Sequence, residues 1–249
     1  MNKSLIAVTA ALLSAWTGAA HAGALADLGV VNRATGERIP VYAHRGRLYI
    51  PGAPGARYSL LVTNKTGGRL LTVVSVDGVN VITGETAAPA QSGYVLEAWG
   101  NVDIGGWRKS MSEVAAFFFT PLPDSYAART DRPGNVGVIG VAVFREVQPP
   151  RPPAALQQAP LSALDKREPE ARASAAPRPE EKLGTGHGER EASEVTWTDF
   201  RRASESPSEL IAIYYDTRAN LIARGIIPGR SQAAPNPFPG FRFAPDPRG

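Results

Sequence analysis

The chain has 249 residues, 43% of them apolar, a formal charge of +4 and no cysteine. Without cysteine there is no disulfide framework and no lipid anchor on a cysteine, so an ordinary apolar core must supply stability. The pI of 9.5 does not by itself mark a nucleic-acid binder, because Arg33, Arg45, Arg57, Arg69, Arg108, Arg129 and Arg145 are scattered among acids instead of forming a basic stripe.

Residues 1–22 have the three parts of a secretory signal peptide. Lys3 gives the positive start, Leu5 to Trp16 the apolar stretch, and Ala20-His21-Ala22 the small-residue cleavage site. A membrane anchor would need roughly 20 apolar residues, and Thr9, Ser14, Thr17 and Gly18 interrupt this run. Cleavage is therefore expected after Ala22, in a periplasmic or secreted protein with no transmembrane segment thereafter. Loss of residues 1–22 removes one lysine and no acid, leaving a charge of +3.

Residues 23–147 read as one β domain. Strand-like runs such as DLGVVNR, RIPVYAH, RLYIP and RYSLLVTN are each closed by turn residues. In RYSLLVT, Tyr58, Leu60 and Val62 face one way and Ser59 and Thr63 the other, the period of a half-buried strand. Asp77-Gly78 lies between two β-branched runs, the pairing that suits a two-residue type I′ hairpin; Asp77 is read as a turn former and not as a site acid. AAFFFT and NVGVIGVAVFREV are apolar enough for central strands. The second is apolar on both faces, Val136, Val138, Ala142 and Phe144 against Ile139, Val141 and Val143, and should be covered on both sides.

Residues 148–182 change character: eight of the 22 prolines fall between Pro149 and Pro179, among alanine, glutamine and charge. This composition predicts a disordered linker. Order returns over 183–227, with strand-like runs EVTWTDFRRA and SELIAIYYD. The run LIARGII is read as a third strand in preference to a short helix over 217–224 capped by Asp216 and stopped by Gly225. Residues 192–227, too short to fold alone, are expected to dock on an edge or face of the sandwich and bury Trp197, Phe200, Leu210, Ile211 and their neighbours. Residues 228–249 form a Pro-rich tail with Phe238, Phe241 and Phe243 as docking points.

LGTGHGERE, residues 183–191, looks most like chemistry. It lacks the lysine of a phosphate-binding P-loop and the spacing of a dinucleotide fingerprint, and without cysteine its His187-Gly188-Glu189 cannot belong to a zinc deaminase. Its glycines are read as a flexible approach to the C-terminal strands. Two histidines, His44 and His187, survive cleavage, so neither a metal set, a catalytic triad nor a cofactor site is expected. The most ligand-like stretch is QSGYVLEAWGNVDIGGWRKS, where Tyr94, Trp99 and Trp107 lie near Arg108 and Lys109; aromatic faces stack on sugars or peptide side chains, and cations engage acids. The competing reading packs both tryptophans in the core, and an exposed tryptophan would reverse it.

The phrases SVDGVNVITGE, GYVL, GWRKS, NVGVIGVAVF and IYYDTRANLIARGII resemble those of an uncharacterised family of secreted bacterial proteins, proteobacterial in type. The resemblance implies no activity. The sequence thus predicts an all-β fold: a β-sandwich, Ig-like or jelly-roll-like, with a C-terminal β-hairpin docked on it after the linker. Its expected role is binding or envelope assembly, with an envelope protein or polysaccharide as partner. The alternative is a carbohydrate-active hydrolase using two of Glu85, Glu97, Asp103 and Asp124.

Overall fold

The computed structural model describes residues 23–147 and 182–228. The cleavage site after Ala22, the Pro-rich stretch to Glu181 and the tail from Gly229 lie outside the described residues. The fold is all-β. Its strands are β1 (Ala26–Asn32), β2 (Tyr42–His44), β3 (Arg47–Gly52), β4 (Tyr58–Asn64), β5 (Leu70–Val76), β6 (Val79–Asn80), β7 (Tyr94–Leu96), β8 (Asn101–Ile104), β9 (Gly106–Arg108), β10 (Glu113–Pro121), β11 (Val138–Arg145), β12 (Leu183–Ala192) and β13 (Glu209–Thr217). A one-turn helix, α1 (Tyr126–Arg129), precedes β11, and α2 (Arg218–Ala223) follows β13.

One layer is a seven-stranded sheet ordered β2-β3-β13-β11-β5-β6, with β7 also on β5. Two three-stranded sheets, β1-β4-β8 and β12-β10-β9, make the other layer and are bridged at Arg57 and Phe118. The main core lies between the layers: Tyr58, Leu60 and Val62 of β4 meet Ile139, Val141 and Val143 of β11 and Ile211, Ile213 and Tyr215 of β13. Strand β11 is covered on both faces toward its C-terminal end, where Ala142 and Phe144 pack with Leu71, Val73 and Phe200 on the far side. That second face carries another cluster at its other end, where Tyr49, Leu221, Ile226 and Ile227 pack together beside Tyr214.

Several expectations for the C-terminal part change. Its two strands do not form a hairpin: β12 pairs with β10, while β13 lies in the other layer between β11 and β3. Strand β13 is thus an interior strand and not an edge addition. LGTGHGERE is not a flexible approach but most of β12. Its alternating glycines put three missing side chains on one face, and each is needed there. A Cβ at Gly184 would stand 2.5 Å from Ser125 Cβ, one at Gly186 2.2 Å from the Phe118 ring, and one at Gly188 2.8 Å from the Ala116 carbonyl. Run 194–203 is no strand; apart from backbone hydrogen bonds at Val195, Arg201 and Ala203 and a single bridge at Arg202, it is held by side chains, as described below. LIARGII gives α2 instead of a third strand, with Thr217 Oγ1 accepting from Asn220 N–H at 3.1 Å as its cap. The helix end at Gly225 has φ +68°, which glycine adopts without strain. Docking on the sheet stabilises this short helix, which isoleucine content alone disfavours.

The Asp77-Gly78 hairpin forms as expected, with φ +53° and +74°. Its aspartate does more than turn the chain. At 1% exposure its carboxylate accepts from Gly137 N–H at 2.9 Å, from Thr185 N–H at 2.8 Å and from the Tyr215 hydroxyl. Thr185 Oγ1 lies 2.7 Å from Tyr215 Oη and 2.6 Å from Tyr58 Oη. Each hydroxyl has one proton. With the Tyr215 proton on an ionised Asp77, Thr185 must donate to Tyr215 and Tyr58 to Thr185. One directed chain of hydrogen bonds therefore ties β4, β12 and β13 to the β5–β6 turn.

Burial outweighs these donors and pushes the Asp77 carboxyl from 3.8 up to about 6. The folded state then binds this proton more tightly than the unfolded chain, so its contribution to stability grows as pH falls from about 7 toward about 4, by up to ~3 kcal/mol. His187, whose basicity is lowered by burial and then by Lys109, Arg129 and Arg190, acts in the opposite sense as pH falls below its ordinary 6.5. Comparison with Asp77→Asn, which suits the left-handed turn and keeps the size, isolates the Asp77 part. Urea unfolding at pH 5 and 7.5 should show the native protein gaining stability on acidification relative to Asp77→Asn. Equal pH dependence in both proteins would assign the effect elsewhere.

Candidate functional site

The turn at residues 97–100 carries the chain from β7 in one layer to β8 in the other. A groove of about 850 Å³ opens at this border. Tyr94, Val95 and Leu71 line it from the large sheet, Asn101 and Val102 from β8, Arg108 from the end of β9, Lys109 and Met111 from the β9–β10 turn, and residues 195–198 with Phe200 form the remaining wall.

That wall is a strap, residues 193–203, linking β12 to β13 across the end of the sandwich. Its ends are tied by backbone hydrogen bonds, Ser193 and Val195 N–H to the Ser112 and Met111 carbonyls and Ala203 N–H to the Arg145 carbonyl, and between them it is held by arginines. Arg108 donates to the Ser193 carbonyl at 2.5 Å and its Oγ at 3.0 Å. Arg69 donates to Thr198 Oγ1 and to the Asp199 carbonyl, both at 3.1 Å. Arg202 donates to the Pro89 and Gln91 carbonyls at 2.9 and 2.6 Å, with its guanidinium 4.2 Å from the Phe144 ring centroid. Phe200 anchors the strap in the apolar cluster on β5 and β11. Trp197, between the Arg108 and Arg202 anchors, is left 82% exposed on the groove rim.

The five sequence-derived binding residues separate. Tyr94, Arg108 and Lys109 line the groove; Trp99 and Trp107 do not. Trp107 is buried, donates its indole N–H to the Gly186 carbonyl at 3.2 Å and meets Phe117 edge-on at 5.2 Å. Trp99 is 68% exposed in the 97–100 turn with φ +60°. The two tryptophans thus divide between the two readings. Arg108 also donates to Tyr94 Oη at 3.3 Å and the Ser110 carbonyl at 3.3 Å, so its donors are taken up within the protein. Lys109 is exposed and makes no ion pair or side-chain hydrogen bond among the described residues. Trp197, expected to be buried, is the exposed aromatic group of the groove, whose lining also includes Tyr94 and Phe200; no local signal marked it, because exposure follows from the strap's path between its anchors.

The candidate carboxylates do not gather. Glu97 alone among them lines the groove, paired with Arg69 Nε at 3.2 Å. Asp124 lies by a separate cavity of about 270 Å³ with Tyr126, Arg129, Thr130 and His187. Glu85 accepts from Gln91 at 3.3 Å, and Asp103 stands on β8 opposite Leu61. Among the described residues no group of three His, Asp or Glu could hold a metal ion. The charges of LGTGHGERE form surface pairs, Glu189 with Arg57 at 2.7 Å, Arg190 with Glu113 at 3.0 Å, and Glu191 with Arg33 and Arg57. Such exposed pairs contribute little.

Against models of known families, curated proteins and solved structures, the chain shows no match. The assignment therefore rests on the groove itself.

The three tryptophans among the described residues should respond differently to alanine. Trp107→Ala removes a packed indole and should cost about 3–5 kcal/mol in urea unfolding. Trp99→Ala and Trp197→Ala should stay within about 0.5 kcal/mol of the native protein. A large loss at Trp197 would show that it is a packing residue and not a free surface of the groove.

Proposed function

We propose that this chain is an exported, non-enzymatic β-sandwich protein that binds a component of the cell envelope, a protein or polysaccharide, in the groove beneath Trp197. The observation that carries the reading is the exposed indole on an arginine-anchored strap above a groove lined by both apolar and polar side chains. Exposed tryptophan costs solvation unless a partner covers it, and tryptophan dominates binding surfaces where it stands on a rigid support. Lys109, without an ion pair among the described residues, adds a cation at the same rim, suited to an acidic group on the ligand. The groove lining brings one carboxylate, Glu97, already held by Arg69, and a two-carboxylate hydrolysis would need a second one facing it. Export follows from the layout of residues 1–22.

The test follows Trp197 fluorescence during titration with peptidoglycan fragments, a neutral glucan and unfolded periplasmic protein. One of these should give a saturable blue shift. Trp197→Ala, followed by sedimentation with the same ligand, should weaken binding about tenfold or more without lowering the melting temperature. Release of reducing ends from either glycan would favour the hydrolase. Binding that persists unchanged in Trp197→Ala would place the ligand elsewhere.

A further inference from the structure

The outer face of the seven-stranded sheet, away from the main core, is covered at both ends and bare between. At one end Phe200 packs on Leu71, Val73, Ala142 and Phe144. At the other, Leu221, Ile226 and Ile227 cover Tyr49 beside Tyr214. Register joins the two ends: Leu210 stands opposite Ala142, Ala212 opposite Gly140, and Tyr214 opposite Tyr49. Leu210, Ala212 and Tyr214 alternate along β13 and so share this face. Leu210 is 72% exposed and Ala212 is also exposed. Gly140 keeps the floor of the stretch low beside its partner Ser75, whose Oγ would stand 2.8 Å from a Cβ there. The result is a shallow trough, apolar at Leu210 and Ala212, with the Ser75 hydroxyl beside Gly140 and, at its other end, two tyrosines whose rings carry Arg47 and Arg224.

We propose that residues 229–249 of this chain occupy the trough, with Phe241 and Phe243 against Leu210 and Ala212. The chain reaches Pro228 directly after Ile226 and Ile227, which are buried in the cluster at the tyrosine end of this same face. From Tyr214 to Leu210 the trough runs about 14 Å, at ~3.4 Å per residue. Phe238 follows Pro228 by ten residues, a reach of up to ~33 Å, so length is no obstacle. In FRFA, Phe241 and Phe243 flank Arg242, which puts two rings on one side of an extended chain and the guanidinium on the other. Pro235, Pro237, Pro239, Pro245 and Pro247 lack N–H donors and are poorly suited to a strand added at a sheet edge. They suit a ribbon that lies over a face and makes side-chain contacts, the way Pro-rich segments use aromatic surfaces. The trough and the groove beneath Trp197 are separate sites, so this proposal does not depend on the groove's ligand.

The absence of cysteine makes the test direct. Leu210→Cys in the full chain should react with a maleimide about tenfold more slowly than the same variant ending at Pro228. Paired cysteines at Leu210 and Phe241 should then close a disulfide within one chain about tenfold faster than cysteines at Trp197 and Phe241, although the tether is common to both. Equal maleimide rates, or equal closure rates, would overturn the proposal. Faster closure with Trp197 would place the segment in the groove. Disulfide-linked dimers forming ahead of the internal bridge would mean that a second copy covers this face. Each of the last two outcomes also contradicts the proposal.

Discussion

A carboxylate buried to 1% exposure must be met by donors or it destabilises the fold, and Asp77 draws its donors from three places far apart in the chain. Gly137 lies just before β11, Thr185 on β12 and Tyr215 on β13. The last two come after residues 148–181, so the N-terminal strands alone leave Asp77 two donors short. Leu183, Ile211, Ile213 and Tyr215 also fill the main core, and each large side chain so buried contributes ~1.5–3 kcal/mol. The polar clamp sets where the C-terminal strands sit, and apolar burial supplies most of the stabilisation.

The groove follows from the same constraint. Because Thr185 and Tyr215 both reach Asp77 from different layers, β12 and β13 cannot form a hairpin. The residues between them must cross the end of the sandwich. That crossing is the strap: Arg69 and Arg108 donate to its backbone and hydroxyl groups, its own Arg202 reaches the Pro89 and Gln91 carbonyls, and backbone hydrogen bonds tie its two ends. Trp197 is exposed because the strap is fixed on both sides of it. Position and exposure of the candidate binding residue thus trace back to one buried hydrogen-bond network.

Local patterns were legible in the sequence where they express local physics. The period of two in β4, the two apolar faces of β11 and the left-handed Asp77-Gly78 turn all appear as read. Features set by distant partners were not. The glycines of β12 suggested flexibility, whereas they admit Ser125, the Phe118 ring and the Ala116 carbonyl. Asp77 was legible as a turn residue but not as a buried clamp, since its donors lie 60 or more residues away. Residues 218–223 carry isoleucine and leucine suited to a strand, yet a Thr217 cap and packing on Tyr49 make them a helix. Of the five candidate binding residues, Tyr94, Arg108 and Lys109 share the groove, while Trp107 was drawn into the core by its Gly186 partner.

The central claim is that the sandwich closes only when β12 and β13 enter it. Fragments 23–147 and 183–249, prepared separately and then mixed, test this by circular dichroism and thermal melting. Neither fragment alone should melt cooperatively, and an equimolar mixture should recover a β-type spectrum with a single transition; a fragment 23–147 that melts cooperatively at the temperature of the full chain would contradict the account.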